Sequence, residues 1–412
     1  MRALSSQVVG PVRAAGPVRP RTKCLATGPS KDEGGIAPQV PRRAALLAAT
    51  SALAVNPAPI GRSGIAAMGS ATAADAPIPR AELAPGLPVS RIVKGCWQLS
   101  GAHRGDRATD RTTGAAAVED FGAYERAGIT AFDTADIYGP SEGLIGKYVK
   151  ERGGAKGLQI LTKAAYFGRD MLDVSQAAVD AHVGRSLRAL NVDRVDLVQL
   201  YWHDYNTPGY VDAARGLADL QRRGVIGAVG ATNFDEVRLQ EIADAGVQVK
   251  VHQVQYSLLD RRVEGGMTDW CKKNGCTLLP YGVLAGGFLT DKYVGVPARD
   301  VELDTSSKRK YSSIIQNSGG WGWFQELLAA LAAVGKKHGV SVASVATRWV
   351  LDRPCVPAVL IGARNARHAA EHKEAFAFEF DDADRREIDA VLAKGKQPTS
   401  MFYSWERGAS KW

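Results

Sequence analysis

Ala131-Phe132-Asp133-Thr134-Ala135-Asp136-Ile137-Tyr138-Gly139-Pro140 decides how the rest of the chain is read. It is a short apolar strand ending in Asp133, followed by a turn of small and polar residues that carries the phenol of Tyr138. Downstream, Leu158-Gln159-Ile160-Leu161-Thr162-Lys163 repeats the plan and ends in an ammonium. Charged groups at strand ends are costly to hold unless they are paired or used. A buried Asp133–Lys163 ion pair beside a core tyrosine accounts for any two of these three groups. All three together, each at a strand end, point to a site that delivers a proton.

Outward from this stretch, short β-branched runs alternate with amphipathic helical patterns, the arrangement of parallel βα units. The pattern predicts eight strands, at 91–95, 131–135, 158–164, 196–202, 226–231, 249–256, 277–281 and 358–362. Between them, 175–190 carries Ala178, His182, Leu187 and Leu190 at helical spacing, and 210–222 closes near Gly224. The run 325–338 ends at Gly339, and 341–349 starts from Ser341 as N-cap. Eight such repeats in a region of roughly 250 to 300 residues fit a closed barrel. A doubly wound nucleotide fold needs a glycine-rich turn after its first strand, and Gly95-Cys96-Trp97-Gln98 has no GxGxxG. The expected fold class is therefore α/β, a (β/α)8 TIM barrel with long loops and the C-terminal tail over its mouth.

Chemistry on such a barrel sits at the C-terminal strand ends. Those ends carry Trp97, then Asp133 with Tyr138, Lys163, Tyr201 with His203, Thr232-Asn233, Gln253 with Tyr256, Tyr281, and Gly362-Ala363-Arg364-Asn365. The set is polar and aromatic, with no metal-ligand spacing and no nucleophile–base pair.

These residues resemble the aldo-keto reductase superfamily, and the likeness covers nearly all of residues 90 to 392. Phe132-Asp133-Thr134-Ala135 with Tyr138-Gly139 is similar to the family's first motif, and Leu161-Thr162-Lys163 to its lysine motif. Gly230-Ala231-Thr232-Asn233-Phe234 is similar to the segment that holds the nicotinamide carboxamide, a contact that Gln253 would complete. Tyr281, in Pro280-Tyr281-Gly282-Val283-Leu284, falls where an aromatic ring stacks on the nicotinamide. The run Gly362-Ala363-Arg364-Asn365-Ala366-Arg367-His368 through Glu371-His372 resembles the motif that binds the adenosine 2′-phosphate and adenine. The resemblance implies an NADPH-dependent reductase of aldehydes or ketones, with NADPH/NADP+ as cofactor and a small carbonyl as partner. Tyr138 would be the general acid. Lys163 supplies a cation that favours the phenolate, and Asp133 orients that lysine. An arginine at 364 favours NADPH over NADH, because a guanidinium binds phosphate bidentately.

One position departs from the family. Its members carry histidine in a Leu-His-Trp context after the fourth strand, where this chain reads Leu200-Tyr201-Trp202-His203. Either Tyr201 or His203 donates to the substrate oxygen, or Tyr201 packs and His203 caps the loop. The substitution keeps open a second function, an NADPH-binding regulatory or scaffold barrel with little turnover. The aromatics Tyr293, Tyr311, Trp321, Trp323 and Phe324 in the long segment 286–324, with Phe402, Tyr403 and Trp405 in the tail, either line an apolar pocket or fasten these segments down.

The charge of +9 is local. Residues 1–80 hold ten of the 52 Lys/Arg, three of the 43 Asp/Glu and no aromatic, which leaves 42 basic against 40 acidic residues elsewhere. The remainder carries no nucleic-acid footprint. The acid-poor leader matches an organelle transit peptide, expected to be disordered and cleaved over 1–78, with the barrel at 79–412. Arg42-Arg43, the apolar run 44–55 and Ala71-Thr72-Ala73 resemble a thylakoid twin-arginine signal, so the expected home is the chloroplast, in stroma or thylakoid lumen. The apolar run is too short for a membrane span. Five cysteines show no metal or CxxC spacing, and buried free thiols are expected.

Overall fold

The computed structural model describes residues 77–100 and 111–399. The leader's targeting features and the tail aromatics Phe402, Tyr403 and Trp405 lie outside these residues. An antiparallel hairpin, β1 (Arg80–Ala84) and β2 (Leu87–Ser90), comes first. Eight parallel strands follow: β3 (Ile92–Gly95), β4 (Ala131–Asp133), β5 (Gln159–Tyr166), β6 (Val195–Trp202), β7 (Ile226–Thr232), β8 (Val251–Gln255), β9 (Thr277–Tyr281) and β10 (Val359–Gly362). They hydrogen-bond in chain order, and β10 pairs with β3. At the seam between β9 and the segment leading into β10, Leu278 donates to the Cys355 carbonyl at 2.7 Å. The architecture is the expected (β/α)8 barrel.

The helices are α1 (Gly114–Arg126), α2 (Ser141–Glu151), α3 (Gln176–Leu190), α4 (Tyr210–Arg222), α5 (Glu236–Asp244), α6 (Met267–Asn274), α7 (Ser306–Ser318), α8 (Gly320–His338), α9 (Val342–Leu351) and α10 (Asp382–Leu392). Their ends follow local chemistry. Ser175 and Ser341 cap α3 and α9 by accepting from the N–H groups of Ala178 and Ser344. Gly339 takes the left-handed conformation that ends α8. None of the described helices is long and apolar enough to cross a membrane.

Two cores flank the sheet. Outward residues such as Val198, Leu200 and Trp202 of β6 pack under the helices. Inward residues Val93, Ala131, Leu161, Leu197, Val251, Leu279 and Leu360 form an apolar layer inside the barrel, joined by Leu83, Leu87 and Val89 of the hairpin. The hairpin closes the N-terminal end, with Thr277 Oγ1 donating to the Leu83 carbonyl at 2.5 Å. The hairpin thus covers the end opposite the one where the polar strand ends lie. Ile78, just before the hairpin, is buried in the core.

The long segment after β9 fastens rather than lines. Tyr293, Tyr311, Trp323 and Phe324 are buried. Trp321 and Trp323 donate their indole N–H to the Val296 and Val391 carbonyls at 2.8 and 2.9 Å. Tyr311 lies so close over Gly282, at φ +73, that a Cβ there would fall 2.0 Å from its hydroxyl.

Candidate active site

Side chains alternate along a strand, so the residue two places beyond each apolar lumen residue also faces the lumen. That step places Asp133, Lys163, Gln199, Gln253 and Tyr281 above Ala131, Leu161, Leu197, Val251 and Leu279. Lys163 Nζ donates to Asp133 Oδ1 at 2.6 Å and to the Thr134 carbonyl at 2.8 Å. Asp133 Oδ2 accepts from Gln199 Nε2 at 2.8 Å and from Gln253 Nε2 at 2.9 Å, and Gln253 Nε2 also donates to Gln199 Oε1 at 3.0 Å. A carboxylate only accepts, so it fixes both amides with their NH2 groups toward it. Burial opposes the charge of Lys163, but Asp133 and Tyr138 outweigh it and hold the ammonium above the ordinary lysine pKa.

Gln253, the residue expected at the cofactor carboxamide, belongs to this same layer. Its amide N–H groups are committed to Asp133 and Gln199, because all three side chains share one layer. Gln199 is not marked as a site residue by the sequence, because it lies inside its strand, two residues before the end. Gly230, next to it, leaves the space: a Cβ there would meet the Gln199 side chain at 2.9 Å.

Tyr138 stands over this layer. Its ring centroid is 5.2 Å from Lys163 Nζ and 4.9 Å from the Trp97 ring, edge to face. Burial pushes the phenol pKa up, and Lys163 pulls it the other way without cancelling the rise. Desolvation, which a strand-end motif does not reveal, outweighs the cation here. The turn carrying Tyr138 is tied down along its length. Thr134 and Ser141 share a hydroxyl hydrogen bond of 2.7 Å, and Thr162 donates to Glu142 at 2.6 Å. Asp136 Oδ2 accepts from the Ala165 N–H at 3.1 Å and meets His182 Nε2 at 2.5 Å. His182 thus serves as a partner for this turn, beyond its place on the packed face of α3.

Tyr201 and His203 share the lumen side of β6 and its extension. Tyr201 Oη and His203 Nδ1 are 3.1 Å apart, and Phe167 stacks on both rings at 5.2 and 4.6 Å. They form one aromatic unit at the mouth, a level above Gln199.

After β7, Asn233 adopts φ +59, its N–H donates to the Gln253 carbonyl at 3.1 Å, and its Oδ1 accepts from Tyr281 Oη at 3.2 Å. Thr232 is buried, with Oγ1 donating to the same Gln253 carbonyl. The Tyr281 ring is thereby held at the mouth, with Lys310 Nζ 5.3 Å from its centre. Leu284 packs at the edge of the outer core beside it. Past β10, His368 Nδ1 meets Glu371 at 2.8 Å on the surface. His372 is drawn inward, and burial pushes its pKa down to about 4.

The Aldo/keto reductase family model matches residues 91–393. The chain belongs to that family. This aldo/keto reductase is 29% identical over 318 residues to Aldo-keto reductase YhdN of Bacillus subtilis, covering 74% of the chain and 91% of the relative. It is 30% identical over 296 residues to a chloroplastic pyridoxal reductase of Arabidopsis thaliana, covering 67% and 75%. A solved glycerol dehydrogenase from Gluconobacter oxydans superposes with a TM-score of 0.64 at 27% identity, over 77% of this chain and 98% of that one. Carbonyl reduction with a nicotinamide cofactor is the chemistry of this family.

The residues of this aldo/keto reductase suit such a cofactor. Gln98 Oε1 is buried without a hydrogen-bond partner beside Gly362, where a Cβ would clash with the Gln98 amide at 2.4 Å. A presented aromatic face at Tyr281, amides at Asn233 and Gln98, and a guanidinium at Arg364 match an aromatic amide at one end and a phosphate at the other.

Proposed function

We propose that this chain is an NADPH-dependent reductase of aldehydes or ketones, working in a plastid. The observation that carries the reading is Tyr138 standing over a buried Lys163–Asp133 pair whose every polar partner is accounted for.

A nicotinamide cofactor held by Asn233, Tyr281 and Arg364 would supply hydride to a carbonyl carbon. Tyr138 gives its phenolic proton to the oxygen as charge develops there. A phenol is already protonated at neutral pH, and burial raises its pKa further, so the donor is loaded. Lys163 lies close enough to stabilise the phenolate left behind, which lowers the barrier where charge appears. Asp133, gripped by Gln199 and Gln253, keeps Lys163 charged and in place. Tyr201 and His203, linked to each other, offer a second hydrogen bond to the substrate oxygen from the far side. Tyr281 and Asn233 orient the nicotinamide, and Arg364 favours the 2′-phosphate. The acid-poor leader supports a plastid address, as does the likeness to a chloroplastic reductase.

The test follows NADPH absorbance with a panel of aromatic, aliphatic and sugar carbonyls, for the natural chain and Arg364→Ala. Oxidation of NADPH by at least one class is expected, with a lost preference over NADH in the variant. Fluorescence quenching by NADPH without oxidation of any substrate would instead favour a regulatory barrel. Mass spectrometry of the mature N-terminus tests the address: a start near Ala74 favours the thylakoid lumen and an earlier one the stroma.

A further inference from the structure

We propose that donors from three residues, the buried Lys94 and Tyr124 and the partly buried Thr112, hold the loop after β10 in a phosphate-binding form, with Lys94 as its central positioning residue. The inference rests on the reading of Arg364 as a phosphate ligand.

Three consecutive carbonyls of this loop are bound from the body of the protein. Lys94 Nζ donates to the Ala363 carbonyl at 2.9 Å and to the Gly95 carbonyl at 2.7 Å. The Thr112 N–H donates to the Arg364 carbonyl at 3.0 Å, and its hydroxyl, 3.2 Å from the same carbonyl, gives its proton to Asp120 Oδ2 at 2.6 Å. Tyr124 Oη donates to the Asn365 carbonyl at 2.7 Å. In a trans peptide the carbonyl and the following N–H point in opposite directions. Pulling carbonyls 363 to 365 onto the body therefore turns the N–H groups of Arg364, Asn365 and Ala366 away from it. Successive N–H groups on one side of a loop make an anion-binding concavity, and here the loop also carries the Arg364 guanidinium.

Lys94 is the unexpected member. It is only 3% exposed, on the outward face of β3 between Val93 and Gly95, which line the lumen. Its hydrogen bonds go to carbonyls, and its ammonium sits 5.3 Å from the Tyr124 ring centre. Burial pushes its pKa down, while Cys96 and Asp120 pull it back up. The Lys94 amine is bonded to neutral carbonyls, and Asp120, which accepts from the Thr112 hydroxyl, offsets part of its field under the loop. The cavity beside it, between Thr112, Tyr124 and Asn365, measures about 10 Å³, room for one water at most. A phosphate must therefore lie on the outer side, and Lys94 acts through the loop.

The test is a double-mutant cycle on cofactor affinity in the full chain. Lys94→Met and Tyr124→Phe are each made alone and combined with Arg364→Ala. Dissociation constants for NADPH and NADH are read from fluorescence quenching, and those for 2′,5′-ADP by calorimetry. Lys94→Met is expected to weaken NADPH and 2′,5′-ADP about tenfold, the scale of a charge-assisted hydrogen bond, with NADH changed less. In the Arg364→Ala background the same change should shrink to within about twofold, because both residues serve one contact. Tyr124→Phe keeps the ring and removes one donor, so it carries the test if Lys94→Met does not fold. Equal losses for NADPH and NADH, or effects that simply add to that of Arg364→Ala, would overturn the proposal. If Arg364→Ala abolishes the NADPH preference while the other variants leave it intact, this inference alone falls. If Arg364→Ala does not alter that preference, the phosphate reading falls and takes this inference with it.

Discussion

Two layers of the same barrel lumen, one residue pair apart on the same strands, obey opposite rules. In the lower layer Ala131, Leu161, Leu197, Val251 and Leu279 meet the hairpin's leucines, and burial of apolar surface is their whole contribution. In the upper layer Asp133, Lys163, Gln199 and Gln253 occupy the next inward places, where larger apolar side chains would pack at least as well. Desolvating an ion pair often outweighs its attraction, so such a layer is poor evidence for stability. It is satisfied internally and aims its one cation at Tyr138. The difference teaches that the lower layer specifies the barrel and the upper one specifies what the barrel does.

The sharpest way to break this division is to change function without touching the fold. Tyr138→Phe should lower kcat by a factor of about 10² to 10⁴, the range for a lost general acid. NADPH affinity and the thermal midpoint should stay as they are. Comparable turnover in the variant would remove Tyr138 from the proposed role. The same phenol sets a pH limit: since burial holds its pKa above the ordinary value near 10, reduction should not decline until the solution is more alkaline than that. A fall in kcat through neutral pH would point to another proton donor.

A matched pair of truncations compares the layers directly. Asp133→Ala strands the Lys163 ammonium in the lumen and should cost about 3–5 kcal/mol of stability together with activity. Leu279→Ala, in the lower layer, should cost about 2–5 kcal/mol through its cavity while the folded fraction keeps its kcat. Denaturant unfolding with active-site titration separates the two. If Leu279→Ala impairs kcat as Asp133→Ala does, the layers are not functionally distinct.

Much of this was legible from the chain because strand periodicity is local. Eight apolar runs with polar ends already place Asp133, Lys163 and Tyr281 at one rim of a barrel. The hairpin escaped notice because Pro79, Pro85, Gly86 and Pro88 break its alternation, although Pro88 pairs with Glu82 in a short ladder. Gln199 looked like interior filler, and its meaning depends on a carboxylate 66 positions away. His182 fits a helix face equally well as packing or as the partner of Asp136, and only the tertiary fold chooses. Gln253 was legible at its strand end, but its bond to Asp133 was not, since the register that brings the two together is set by the whole sheet.

His252 gives a smaller effect and turns on the strand between the two layers. It points outward from β8, between lumen-facing Val251 and Gln253, and Nε2 accepts from the Phe234 N–H at 3.1 Å. An imidazole that accepts there is neutral at that nitrogen, and burial pushes its pKa down to about 3. The unfolded chain binds this proton more readily than the folded one, so stability should fall as pH drops below the ordinary histidine value near 6.5. The slope approaches about 1.4 kcal/mol per pH unit until the folded pKa is reached. His252→Gln should flatten the acid limb of the stability curve measured by urea unfolding between pH 7 and 4. An unchanged limb would mean other groups dominate acid unfolding.

The smallest effect tests the mouth of the lumen, where this chain departs from its family. Tyr201 Oη and His203 Nδ1 share one hydrogen bond under Phe167, so the pair has a structural contact as well as a proposed substrate contact. Tyr201→Phe keeps the ring and its stacking and removes only the hydroxyl. If the hydroxyl only steadies His203, kcat/KM should stay within about twofold. If it donates to the developing oxyanion, the loss should match one neutral hydrogen bond, about 0.5–1.5 kcal/mol or roughly two- to tenfold in kcat/KM. We expect the second outcome, carried mainly in kcat, because a bond that strengthens as charge develops acts in the transition state rather than in binding. A loss carried wholly in KM would place Tyr201 among the residues that shape the pocket, and the upper layer would then deliver protons without help from β6 beyond Gln199.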